Sequence, residues 1–274
     1  MAHSPATMTS FRIGTINVHS FIHPINLKRN AKELVSILTP YNLDVLAVQE
    51  VINDDDWILM CNDLSLTHTA FGASHRTRYG NAIGSRHPIL DYSNQKIMTS
   101  AKGGDRAMLR CRLGGDHPFV QNRTFAVTHL DHLDEDERLK QINAFSPLSY
   151  NINILLGDMN ALTRDDYSDT YFHENVVGKR EKTNWEPPRF ELTKQLVDTW
   201  CYQDAFRQIN LTLKDENITT CAHNTRIDYI FLRPLLDDEW VLTECFIVDT
   251  HNATDHHAVV ATFMPKNETI IRKT

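Results

Sequence analysis

The chain is predicted to fold as a single α/β domain. Three observations lead there. Short apolar runs of strand length recur from residue 11 to residue 263, several of them closed by glycine or by a pair of polar residues. Between some of these runs, apolar residues fall at helical spacing. No linker, composition break or repeat of clear period divides the 274 residues. An apolar content of 41% is enough for a substantial core, and no run of roughly 18 apolar residues offers a membrane span.

Residues 1–10, MAHSPATMTS, lack the apolar stretch of a signal peptide and are expected to form a disordered leader. The domain then runs from 11 to 265, and 266–274 is expected to be a flexible tail. FRIGTINV at 11–18 alternates and is β-branched, which predicts a strand ending at Asn17. Leu27, Ala31, Leu34, Val35 and Leu38 predict a helix closed by Pro40. LDVLAVQEV at 43–51 is a nearly all-apolar strand with Glu50 at its tip, and the acidic DDDW that follows suits a helix start. Two further strands, 79–90 and 105–113, bring Arg76, Arg78, Arg86, Lys102, Arg106, Arg110 and Arg112. Most of these fit a solvated sheet face, with one or two free to reach a substrate phosphate.

TFAVTHL at 124–130 is a strand ending at Thr128 and His129, and the acids from Asp134 to Glu137 open a helix striped by Leu139, Ile142 and Phe145. NINILLGDMNAL at 151–162 is an apolar strand stopped by Gly157. Asp158 and Asn160 are two apart and share one side of an extended backbone. Taken alone, that pair fits a turn as well as a site. The polar stretch 163–188 is long for a connection and suggests a binding loop or lid, with Tyr167, Tyr171, Phe172 and Trp185 available to stack on a base or to pack the loop down. A helix through Leu192, Leu196, Val197 and Trp200 and strands at 226–232, 241–250 and 257–263 complete the chain.

The net charge of −7 argues against non-specific coating of nucleic acid, though not against a local phosphate site. Five scattered cysteines without a CxxC fit buried thiols in a reducing, intracellular compartment, cytoplasmic or nuclear. The five N-x-S/T triplets weigh little without a signal peptide.

The polar residues of most chemical use cluster at strand ends. Asn17, Glu50, His129, Asp158 with Asn160, and Asp255 with His256 each sit at or just past an apolar strand, and Asp228 lies within one. Such ends can share one rim of a packed sheet. INV at 16–18, AVQEV at 47–51, GNAIGSRHPI at 80–89, THL at 128–130, GDMN at 157–160, RIDYIF at 226–231 and TDHHAVV at 254–260 together resemble, in order, the endonuclease/exonuclease/phosphatase (DNase I-like) superfamily.

The resemblance implies a four-layer fold, two β-sheets packed face to face with helices outside. It implies a metal-dependent phosphoric ester hydrolase using Mg²⁺ or Mn²⁺. Glu50 would be the principal metal carboxylate, Asp255 would support the site, and Asn17 would arrange the metal and its carboxylates. Asp158 would orient or deprotonate the attacking water, with Asn160 holding that water or the phosphate. His256, oriented by Asp228, and His129 would contact the phosphate. The bland alternatives are a solvent-facing acid for Glu50, a strand cap for Asn17, a buried structural pair for Asp228–His256, and a satisfied core histidine for His129. His257, next door, points the other way and is expected to be structural.

Two positions depart from the family pattern. His19 stands where AP endonucleases and tyrosyl-DNA phosphodiesterases carry an aspartate near the metal, and Ala258 replaces a common proline. His129 followed by Arg138 and Gln141 is nearer the deadenylase, sphingomyelinase and tyrosyl-phosphodiesterase branches. The expected partner is a phosphoester substrate, with a nucleic-acid end or nucleotide-like ester first. A lipid or inositol phosphate, or a non-catalytic binding module on the same fold, are the alternatives. No protein partner is inferable.

Overall fold

The computed structural model describes residues 10–75, 77–98 and 102–267. Arg76, the leader before Ser10 and the tail beyond Asn267 lie outside the described residues. The first sheet contains β1 (Phe11–Asn17), β2 (Val45–Ile52), β3 (His68–His75), β4 (Tyr79–Ser85), and two late strands described below. The second contains β5 (Ile89–Ile97), β6 (Arg106–Leu113), β7 (Thr124–His129), β8 (Ile152–Asp158), β9 (Gln203–Asp204) and β10 (Asp228–Leu232). The chain then returns to the first sheet through β11 (Trp240–Val248) and β12 (Ala258–Pro265). The orders are β11-β12-β1-β2-β4-β3 and β5-β6-β7-β8-β10-β9.

Alternation along the central strands explains the layering. Successive side chains of a strand point to opposite faces. Val45 and Ala47 enter the core between the sheets, where they join Ile13 and Ile83 on one side and Leu109, Val127, Leu156 and Ile230 on the other. Leu46 and Val48 face outward, under Leu34 and Leu38 of α1 (Ala31–Leu38) and Trp57 and Met60 of α2 (Asp55–Asp63). In the second sheet Ala126, Leu155 and Tyr229 face outward beneath Ile142 and Phe145 of α3 (Glu135–Phe145) and Leu192 and Leu196 of the helical stretch 191–199. A strand covered on both faces has to be apolar throughout, which is why these runs lack clean alternation. The expected four-layer arrangement is the one observed.

Each sheet has one parallel pair at its centre, β1 with β2 and β7 with β8. Helices α1 and α3 make the crossovers. The partners β12 and β10 run antiparallel to β1 and β8. They therefore begin at the rim where β1 and β8 end, and this is how residues at strand starts join residues at strand tips.

Several local expectations are corrected. The stretch 79–90 is two strands in different sheets, because Pro88 lacks the N–H needed to continue a ladder. Strand β3, with its mixture of small and polar residues, is not signalled by hydrophobic pattern. Helix α1 starts at Ala31; Leu27 has φ +57° and is exposed. The stretch 163–188 is not an open loop. It forms a short helix at Asp169–Tyr171, a π-helix at Phe172–Val177 and a helix at Gly178–Thr183. Tyr167, Val176, Tyr171, Phe172 and Phe190 pack it against Leu162, Cys221 and Ile227. Cys61, Cys111, Cys221 and Cys245 are buried free thiols as expected, but Cys201 is exposed. Among the described residues no helix is long and apolar enough to cross a membrane.

Candidate active site

Strand pairing puts the site together. His129 ends β7 opposite Asp158 of β8, and Asp158 lies opposite Asp228, the first residue of β10. Gly157 makes the approach of β7 and β8 possible: it has φ +137°, and a Cβ there would overlap the Thr128 carbonyl oxygen. Ile227 and Asp228 both donate their backbone N–H to Thr220 Oγ1, at 2.9 and 3.1 Å. Two residues before Asp228, the buried guanidinium of Arg226 holds Asp166 and Asp204, with bonds of 2.7 to 3.1 Å. In the other sheet the Thr254 hydroxyl donates to the Asn17 carbonyl at 3.0 Å and pins the turn carrying Asp255 and His256 against the end of β1.

Glu50 is placed by a bulge. The β2–β4 register shifts between Val48 and Val51, and Glu50 takes φ +54°. A bulge re-aims a side chain that regular pleating would send elsewhere. Here it turns the carboxylate toward the cleft, where its side chain is 21% exposed.

Asn17 connects the two sheets. Its Nδ2 donates to Glu50 Oε1 at 3.2 Å and to Asp158 Oδ2 at 3.1 Å, while its Oδ1 accepts the His19 N–H at 3.0 Å. Only this amide orientation works, since the reverse would set an oxygen against two carboxylates. Asn17 therefore both caps the end of β1 and bridges the two carboxylates.

His256 Nδ1 donates to Asp228 Oδ2 at 2.9 Å, and its Nε2 lies 3.8 Å from Asp158 Oδ2. His129 Nε2 lies 3.6 Å from the same Asp158 oxygen, and its Nδ1 3.8 Å from Glu50 Oε1. Asn160 donates its backbone N–H to Asp158 Oδ1 at 2.9 Å and its Nδ2 to the Leu130 carbonyl at 3.1 Å. Asp255 Oδ1 is 3.6 Å from His19 Nδ1, which is also 3.7 Å from Glu50 Oε2. All eight residues marked in the sequence thus come together, and Glu50, His129, Asp158, Asn160, Asp255 and His256 line one cleft of about 520 Å³. His257 is turned away and accepts the Thr250 N–H at 3.2 Å, as expected for a structural residue.

Burial sets the protonation states. The Asp158 carboxyl is pushed up to about 7, first by burial and then by the nearby Asp228 carboxylate. Burial opposes a charge on His256, but Asp228 and its hydrogen bond overcome this and hold the imidazole well above its ordinary range. His129 moves the other way, well below its ordinary range, through burial and the Arg106 guanidinium 3.3 Å away. Two histidines on one carboxylate are thereby driven to opposite states: His256 is cationic and His129 neutral at neutral pH. Paired groups driven apart in this way mark acid–base sites.

The donor chemistry fits a divalent cation. Glu50 and Asp255 present hard oxygens that are partly open to the cleft, 21% and 33% exposed. The tightest trio of ligand atoms among the described residues is another one, Asp158, Asp228 and His256, all within 4.8 Å of one another. That trio is closed and buried, and the 2.9 Å Asp228–His256 hydrogen bond runs through it. Glu50 and Asp255 are the carboxylates open to the cleft.

The cleft wall also holds residues outside the eight marked as site residues in the sequence. Arg106, expected only as one of a basic group, is buried here and contacts His132 Nδ1 at 3.0 Å. Arg180 and Trp185 arrive from the helical stretch that had looked like a loop. Trp185 stands edge-on to His223 with ring centroids 4.4 Å apart and is 39% exposed. Arg106 lies in a strand that was expected, but nothing in the sequence marked it out among its basic neighbours; Arg180 and Trp185 come from a segment whose helical fold was not legible. Of the four aromatics in 163–188, only Trp185 lines the cleft; Tyr167, Tyr171 and Phe172 pack on one another.

The family model of the Endonuclease/Exonuclease/phosphatase family matches residues 14–256. The chain belongs to this family. No curated protein sequence matches it. Among solved structures it is similar to an endonuclease/exonuclease/phosphatase from Beutenbergia cavernae at TM-score 0.66 and 18% identity, covering 93% of this chain and 72% of that one. It is similar to the human Nocturnin catalytic domain with a bound sulfate anion at TM-score 0.65 and 16% identity, covering 93% and 94%. It is also similar to D. rerio TDP2 complexed with a single-strand DNA product, at TM-score 0.61 and 18% identity, covering 93% and 99%.

Proposed function

We propose that this member of the family is a divalent-metal-dependent phosphodiesterase. It would cleave a nucleic-acid end or a nucleotide-like ester by in-line attack of an activated water. The observation that carries the reading is the convergence of Glu50, Asp158 and His256 from three distant segments on one cleft. Turn chemistry alone gives no reason for that convergence.

A bound Mg²⁺ or Mn²⁺, held by Glu50 and Asp255, would supply positive charge to the phosphate oxygens. Asn17 would keep the carboxylates apart and oriented. Asp158, raised to about 7, is partly ionised near neutrality and suited to take a proton from the attacking water. Asn160, fixed beside it, would hold that water or the phosphate. Cationic His256 would donate a hydrogen bond to a non-bridging oxygen as charge develops there. His129 is a neutral second donor, and Arg106 and Arg180 add charge on the far wall.

The half-exposed indole of Trp185 favours a substrate with a base to stack. A TDP2 structure that holds single-strand DNA and a Nocturnin structure that holds sulfate lend support from the same fold.

The test is hydrolysis of bis-(p-nitrophenyl) phosphate with Mg²⁺ or Mn²⁺. Turnover should be abolished by EDTA and should fall by roughly 10³-fold or more in Glu50→Ala. A panel of nicked DNA, poly(A), 5′-phosphotyrosyl DNA, inositol phosphates and sphingomyelin then selects the substrate class. Absence of turnover on the whole panel with any divalent ion would leave a binding module instead.

A further inference from the structure

Arg106 is a buried cation with no acid beside it. It opens β6 and lines the cleft, and among the described residues no carboxylate stands within ion-pair distance of its guanidinium. The acids nearby are engaged elsewhere. Asp105 pairs with Lys96 at 3.3 Å. Asp131 Oδ1 accepts the N–H groups of Leu133 and Asp134 at 2.8 and 2.9 Å. Glu186 pairs with Arg138 and faces Arg180 at 3.8 Å.

What Arg106 does meet is imidazole. Its Nη1 lies 3.3 and 3.5 Å from the two ring nitrogens of His129, and its Nη2 donates to His132 Nδ1 at 3.0 Å. Its Nε is buried and has no partner among the described residues. Neutral rings accept a hydrogen bond but do not balance a charge, and buried arginines are ordinarily paired with an acid. An anion bound in the cleft supplies that balance.

His132 is held as a donor for the same anion. A guanidinium has donors only, so the ring nitrogen facing it carries no proton and the proton of the neutral ring sits on Nε2. Among the described residues nothing accepts that proton. The ring stands on a fixed turn: the Asp131 N–H donates to Gln141 Oε1 at 2.9 Å, and Arg138 Nη1 donates to the Asp131 carbonyl at 2.9 Å. Gly103 leaves room for the Asp131 carboxylate, which a Cβ there would overlap.

The place is offset from the reacting group. Glu50 and Asp158 lie 3.8 and 3.6 Å from the His129 ring. Arg106 touches that ring but stays out of ion-pair reach of both carboxylates, which sets it one ring away from the scissile ester.

We propose that Arg106 and His132 bind a second phosphate of the substrate, beside the one that is cleaved. The preferred substrate is then a phosphate ester with a neighbouring phosphate, as in a nucleotide within a strand or in a nucleoside diphosphate. The inference rests on the phosphodiesterase reading above and deepens it.

The test measures binding. The full chain is titrated calorimetrically with adenosine 5′-monophosphate, adenosine 3′,5′-bisphosphate and adenosine 5′-diphosphate, in Mg²⁺ and again in EDTA, as wild type, Arg106→Met and His132→Ala. Circular dichroism verifies the fold of each variant, and the exposed position of His132 keeps the test open if Arg106→Met does not fold.

Wild type should bind one of the two-phosphate compounds about tenfold more tightly than the monophosphate, and each substitution should cut that preference to about threefold or less. Preference for the 3′,5′-bisphosphate marks a strand neighbour, and preference for the diphosphate marks an anhydride. Equal affinity of the wild type for all three, or a preference that either folded variant keeps in full, overturns the subsite. Equal losses for one-phosphate and two-phosphate compounds place Arg106 on the cleaved phosphate and overturn it too. Bis-(p-nitrophenyl) phosphate has no second phosphate to engage, so its metal-dependent turnover judges the phosphodiesterase reading separately.

Discussion

At the cleft stand two sets of the same composition, each of two carboxylates and a histidine, and they differ in their access to solvent. The outer set is Glu50, Asp255 and His19, with side chains 21%, 33% and 46% exposed. The inner set is Asp158, Asp228 and His256, with side chains 2%, 0% and 10% exposed. In the outer set the imidazole stands 3.6–3.7 Å from both carboxylates. In the inner set it is hydrogen-bonded to Asp228 at 2.9 Å. Residue type does not separate the two sets; access to solvent does. Open carboxylates can exchange water for a cation. Closed ones must settle their charge with protons, so Asp158 rises to about 7 and His256 holds its proton.

Asp158→Asn removes the proposed proton acceptor of the inner set while leaving the outer set in place. Turnover of bis-(p-nitrophenyl) phosphate should fall by roughly 10³-fold or more, with Mn²⁺ affinity by calorimetry nearly unchanged. Equal losses of binding and turnover would merge the two sets into one.

Gly157→Ala tests the frame beneath the inner set. The new methyl group meets the Thr128 carbonyl at a φ that only glycine adopts easily. A loss on the order of 3 kcal/mol in urea unfolding is expected, against well under 1 kcal/mol for an exposed substitution such as Ser93→Ala.

His256→Gln should lower turnover roughly 10²-fold. His256 has a raised pKa, so its proton is present through neutrality and lost as pH rises through that value. The alkaline fall in wild-type activity should therefore be missing in the variant. An unchanged alkaline limb would assign it to another group.

Asp158→Asn also carries a stability prediction with a definite sign. The carboxyl titrates near 3.8 when unperturbed and at about 7 in the fold, so the folded state binds the extra proton between those values. Stability linked to that proton is present at pH 3.8 and below, and is lost as pH rises to 7. In EDTA-treated protein the amide should raise the melting temperature by a few degrees at pH 8 and bring no such gain near pH 4.

The smallest effect belongs to the rim. Trp185→Ala should raise KM about tenfold for a base-bearing ester and leave bis-(p-nitrophenyl) phosphate unaffected. Equal effects on both would make Trp185 a packing residue.

Much of this site could be read from the chain because the fold places strand ends together. Asn17, Glu50, His129 and Asp158 were marked by sitting at the end of an apolar run, and a strand covered on both faces has nowhere else to put such groups. Asp228, Asp255 and His256 were reached through the same order of motifs, their strands running antiparallel to the first. Arg106, Arg180 and Trp185 were not legible in this way. Arg106 was one cation among several until its burial beside His129 set it apart, and the other two depend on how 163–188 folds, where polar composition concealed a packed helical segment.

Local sequence, then, determined the central strands and the chemical groups at their ends, because burial on two faces demands continuous apolar runs and stops them at polar residues; the outer strand β3 carries no such run. Tertiary structure alone decided how deeply each of those groups is buried and which neighbours it meets. The depth at which a carboxylate comes to rest, and the neighbours it meets there, depend on strands and loops that are far apart along the chain. That depth raises the Asp158 carboxyl to about 7 and leaves Glu50 an open carboxylate.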